Sequence, residues 1–99
     1  MNHSKSCDVR KSHHAEKLKK NMVSRLNRIE GQVKAIRRQI EEDVYCDDVL
    51  NLISSVQSAL KNTGALLLEH HMKSCVVQQI AEGRDDVINE LMDTIKKLR

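Results

Sequence analysis

Between Met22 and Ile40 the apolar residues Met22, Leu26, Ile29, Val33, Ile36 and Ile40 stand four, three, four, three and four positions apart. That rhythm brings every second member back to the same side of an α-helix and draws one apolar seam along it. A strand, whose faces alternate every two residues, cannot use the pattern. With Leu18 at its head, the segment predicts an amphipathic helix over about Glu16–Glu41. A second seam of Val49, Ile53, Val56, Leu60, Thr63 and Leu67 predicts a helix from about Asp48 to Glu82. Asp47 is the candidate N-cap of that helix, and Asp48 suits its first turn. Val87, Ile88, Leu91, Met92, Ile95 and Leu98 then predict a short third helix beginning at Asp85 or Asp86. The chain has no Pro and three Gly, so little interrupts these patterns and the expected class is all-α. Gly83 reads as a C-cap, Gly64 as a bend, and Gly31 as a mid-helix residue costing about 1 kcal/mol against Ala. Close backbone packing is the reason expected for Gly31.

The 99 residues suit a flexible tail over 1–15 and one helical domain over 16–99. A single Tyr is the whole aromatic content, so each residue buries little and the core is expected to be shared with further copies of the chain. No run approaches 18 apolar residues and no signal peptide is visible, which predicts a soluble, cytoplasmic protein. Three cysteines suit reduced thiols better than a disulfide framework. Residues 1–38 carry 11 Lys and Arg against three acids, a net of +8, while residues 39–99 carry a net of −5. Such segregation predicts an anionic partner, nucleic acid, for the first half. There is no Gly-rich phosphate loop and no nucleophile motif, so neither an enzyme nor a small-molecule substrate is expected.

Chemistry concentrates in Leu66–Val77, reading L-L-L-E-H-H-M-K-S-C-V-V. His71 and Cys75, four apart on a helix, point the same way and form half of a soft-metal site. Cys46 is the natural third donor, because Cys7 lies in the tail with His3, His13 and His14. On one straight helix, however, the 25 steps from Cys46 to His71 span roughly 37 Å. Metal–ligand bonds run only about 2.0–2.3 Å. Two antiparallel copies would resolve this, with Cys46 from one chain meeting His71 and Cys75 from the other; a sharp break near Gly64 is the alternative. Two thiolates and one imidazole suit Cu(I), whereas Zn(II) wants a fourth donor such as Glu69, His70 or Met72.

Arg25–Ile36 (R-L-N-R-I-E-G-Q-V-K-A-I), Glu41–Leu50 (E-E-D-V-Y-C-D-D-V-L) and Leu67–Cys75 (L-L-E-H-H-M-K-S-C) resemble the copper-sensing transcriptional repressor family. The resemblance runs from about Lys17 to Leu98. It implies a three-helix protomer without a helix-turn-helix, antiparallel dimers pairing into a tetramer, and repression of copper-resistance genes. Cys46, His71 and Cys75 fall on the family's Cys–His–Cys ligand set. Related persulfide sensors lack the histidine, nickel/cobalt sensors have His in place of Cys75, and formaldehyde sensors lack the second thiol. Tyr45 and Glu90 resemble the residues that surround the ligand histidine in copper members. Arg25 matches a position associated with operator DNA. The basic faces of the first helix add Arg28, Lys34, Arg37 and Arg38, and Lys61 stands beside Asn62, where some members carry a basic residue.

The expected function is therefore a Cu(I)-responsive repressor, bound to operator DNA as the apo protein and released by Cu(I). Two alternatives use the same residues differently. A thiol-oxidation or persulfide sensor would work through Cys46 and Cys75 with His71 dispensable. A non-regulatory copper-binding module would bind DNA weakly and without sequence preference.

Overall fold

The computed structural model describes residues 16–98. Its elements are α1 (Glu16–Glu41), α2 (Cys46–His71), a π turn (Met72–Val76), α3 (Val77–Ala81) and α4 (Asp86–Leu98). No strand occurs among the described residues. The predicted second helix is thus α2, the π turn and α3 in succession. The tail expected over 1–15, with His3, Cys7, His13 and His14, lies outside the described residues. Contacts gather into two units, one of Glu16–Thr63 and the other holding the described residues from Gly64 onward.

In the first unit, α1 has Glu16 in its first turn and Arg38 in its last, both complementing the helix dipole. It ends in a Schellman turn: Val44 N–H donates to the Gln39 carbonyl at 3.0 Å, and Asp43 N–H donates to that of Ile40 at 3.2 Å. Asp43 sits at the left-handed position with φ 55°, where glycine is usual. The Tyr45 carbonyl then accepts from Asp48 N–H (3.0 Å) and Val49 N–H (3.3 Å). Those first bonds start α2 at Cys46, ahead of the expected Asp47 cap, and leave Asp47 and Asp48 in the first turn.

Burial divides each seam in two. On α1, Ile29 is buried and Met22 and Ile36 are half-buried, while Leu26, Val33 and Ile40 face water, Ile40 at 60% exposure. On α2, Val49, Val56 and Thr63 are buried at seven-residue intervals, while Leu60 and Leu67 are exposed. Thr63 satisfies its hydroxyl by donating to the Ala59 carbonyl at 2.9 Å. Alternate rungs of each seam are therefore covered within the chain and the intervening ones are largely open. A Cβ on Gly31 would have no neighbour within 4 Å among the described residues, so the close packing expected of it is absent among them.

In the second unit, α2 runs through Gly64 to His71. A Cβ on Gly64 would lie 3.2 Å from Leu98 Cδ2, so this glycine makes room for the end of α4. The core of the unit is Cys75, Val76 and Val87. α3 closes in a second Schellman turn, with Arg84 N–H donating to the Gln79 carbonyl at 2.9 Å and Gly83 at φ 84°. Gly83 thereby performs the capping role expected of it. On α4, Val87, Leu91 and Ile95 turn inward to differing degrees, whereas Ile88 and Met92 are exposed.

Candidate metal centre

The three candidate donors occupy different backbone settings. Cys46 opens α2 as an exposed, free thiol. His71 is the last residue of α2 and is half-buried. Cys75 lies inside the π turn, 1% exposed. Spacing alone put His71 and Cys75 one α-helical turn apart. Here the intervening backbone widens, Val77 N–H donating to the Met72 carbonyl five residues back.

Neighbouring polar groups bear on the same turn. The Ser74 hydroxyl donates to the His70 carbonyl at 2.7 Å and lies 3.9 Å from Cys75 Sγ. Lys73 Nζ reaches Glu69 Oε2 at 2.9 Å. That hydrogen bond, and then the lysine's charge, hold the Glu69 carboxyl below the usual glutamate range. Glu69, one of the candidate fourth donors for Zn(II), is thus already engaged. Gln79, one turn beyond Cys75, buries its Oε1 without a hydrogen-bond partner. No sequence signal distinguishes Ser74 or Gln79 from other polar helix residues.

Tyr45, immediately before α2, is 70% exposed. Glu90 is exposed on α4, and its backbone carbonyl accepts the Thr94 hydroxyl at 3.0 Å. Among the described residues, no group of three or more His, Cys, Asp and Glu side chains is gathered to hold an ion. Cys46 belongs to the first unit, and His71 and Cys75 to the second.

The candidate DNA-binding residues are all exposed: Arg25, Arg28, Lys34, Arg37 and Arg38 on α1, and Lys61 on α2. Lys17, Lys20, Asn21, Ser24, Arg25 and Arg28 border one open depression along the N-terminal half of α1. Arg25 Nε donates to Asn21 Oδ1 at 2.8 Å. The sequence reading did not single out Asn21, although an Asn four residues before an Arg is the signal that would have found it. No helix of the described residues is long and apolar enough to cross a membrane.

Residues 18–97 match the family described as metal-sensitive transcriptional repressor. The copper-sensing transcriptional repressor CsoR of Bacillus subtilis (strain 168) is 45% identical over 87 residues, 87% of this chain and 86% of the relative. RicR, a copper-sensing transcriptional repressor of Mycobacterium tuberculosis, is 52% identical over 65 residues, 66% of this chain and 68% of its own length. The crystal structure of the copper-sensing repressor CsoR with Cu(I) from Geobacillus thermodenitrificans NG80-2 superposes with a TM-score of 0.80 at 41% identity. That match covers 86% of this chain and 90% of the other. Family match, identity and all-helical fold agree: the chain belongs to the metal-sensitive transcriptional repressors, a family of regulators and not of enzymes.

Proposed function

We propose that the protein is a cytoplasmic, Cu(I)-responsive repressor of copper-resistance genes. In this reading the apo form holds operator DNA, and Cu(I) is bound by Cys46 of one chain together with His71 and Cys75 of another. The observation that carries it is the arrangement of the donors. Two thiols and one imidazole are a soft set suited to a three-coordinate cuprous ion. Cys46 and His71 are the first and last residues of one 26-residue helix, so a second copy is the direct way to unite them. The open rungs Leu26, Val33, Ile40, Leu60 and Leu67 give that copy an apolar surface to meet, supporting an antiparallel dimer and a dimer of dimers. Relatives named as copper sensors support the choice of metal.

The bound ion supplies a link between chains. The rest is done by protein groups. Tyr45 and Glu90 orient the His71 imidazole, and through Glu90 the position of α4 becomes tied to the state of the ligands. The basic residues of α1, with Lys61, neutralise operator phosphates, so affinity falls steeply with salt. A change in the spacing of these basic faces weakens DNA binding, and linkage requires DNA to weaken copper binding by the same factor.

The test is anaerobic fluorescence anisotropy of the reduced protein on the DNA upstream of its own gene, titrated with Cu(I). Release at about one copper per chain, with none by Zn(II), Ni(II) or persulfide, is the expected result. Tight binding that ignores copper and yields to persulfide would replace the reading with a thiol sensor. A His71→Ala protein separates the two, since only the copper sensor needs the imidazole.

A further inference from the structure

We infer that Asn21 is a positioning residue for DNA: it holds the Arg25 guanidinium so that the two terminal nitrogens are presented to a backbone phosphate. The inference rests on the repressor reading above and adds a residue to it. Arg25 Nε donates to Asn21 Oδ1 at 2.8 Å, one helical turn back along α1. With Nε–H occupied, four N–H groups remain, two on each terminal nitrogen, and the two that point outward side by side form the fork that matches two phosphate oxygens. A free arginine must give up rotamer freedom on binding, whereas one tethered at Nε has lost much of it already.

The surroundings are those of an anion site. Lys17, Lys20 and Arg28 border the same depression and Ser24 offers a hydroxyl, with no carboxylate among its described lining residues. Positions 17, 20, 21, 24, 25 and 28 recur at three- and four-residue steps, so they form one stripe down the helix. Phosphate is favoured over base edges as the target because the lining is mostly diffuse positive charge.

The experiment compares operator affinity of the reduced apo protein and its Asn21→Leu variant, each also in an Arg25→Lys background. Leucine keeps the bulk of the side chain without its acceptor and is the better helix former, so any loss of binding is not a loss of helix; lysine has no guanidinium Nε to tether. Asn21→Leu is expected to weaken operator binding about two- to fivefold when two chains contact the duplex. The same loss is expected on scrambled DNA, with melting temperature not lowered and copper affinity unchanged. In the Arg25→Lys background the substitution is expected to be silent. Unchanged affinity, or an equal loss in both backgrounds, would overturn the inference while leaving the repressor reading intact. A loss on operator alone would overturn the phosphate assignment. If the unaltered apo protein fails to bind operator, the repressor reading falls and the inference with it.

Discussion

Leu98, at the end of α4, approaches to 3.2 Å of the point where a side chain on Gly64 would begin. The helix gains from replacing this glycine with a better helix former, by about 1 kcal/mol for Ala, but the leucine must move to admit the side chain. Gly64→Ala is expected to leave stability within about 1 kcal/mol of the parent, because the end of a leucine is mobile. Gly64→Leu is expected to cost about 1–3 kcal/mol by overpacking. Urea denaturation distinguishes the two, and equal stability for all three proteins would refute the contact.

Asp43 holds φ 55° in the Schellman turn after α1, a conformation that side chains resist and glycine accepts. Asp43→Gly should therefore raise stability by about 0.5–1 kcal/mol, and Asp43→Val should lower it by more than that. Thermal unfolding reads both. A destabilised glycine variant would mean that the aspartate side chain supports the turn in a way its backbone does not reveal.

Gly31 has open space around it. Gly31→Ala should stabilise α1 by about 1 kcal/mol and leave operator affinity unchanged. If melting temperature or assembly falls instead, another chain or the DNA must approach the helix at that point.

Leu26, Val33 and Ile40 are the open rungs of the α1 seam, and Ile29 is a closed one. Val33→Glu should lower the oligomeric state in sedimentation while the isolated helices survive by circular dichroism. Ile29→Ala should cost about 2–5 kcal/mol of stability through the cavity it leaves. Unaltered sedimentation of Val33→Glu would refute a shared seam.

A site built from two chains can be reconstituted from two defective ones. Cys46→Ser and Cys75→Ser proteins should each lose tight Cu(I) binding. Co-expressed, they should recover one site per mixed dimer, made from the intact Cys46 of one and the intact His71 and Cys75 of the other. No recovery in a verified mixed dimer would place all donors within one chain and revive the folded-back alternative.

The helices were largely legible in the sequence because seam spacing reports the side facing the core. It gave α1 over the same residues as the structure, and a last helix from Asp85 or Asp86, the second of which opens α4. The seam could not distinguish covered from open rungs, since both are apolar; that division depends on which neighbours are present. It also missed the π turn, because Met72–Val76 carries no Pro or Gly and a widened turn leaves the residue types unchanged. Asp47 was the better cap by chemistry, yet Cys46 opens the helix because the Tyr45 carbonyl already receives its first bonds. Of the site, donor types were readable; the widened backbone that carries Cys75 was not.

In the proposed assembly the half-open seams also tie the folded state to abundance. A protomer whose apolar rungs close only against another copy has a stability that rises with its own concentration, as for any fold completed by association. At low copy number such a regulator would be degraded or unfolded before it could occupy an operator; above a threshold it would become both durable and competent together. In the proposed assembly, exposed Leu26, Val33 and Ile40 thus set a minimum dose for control, independent of any metal.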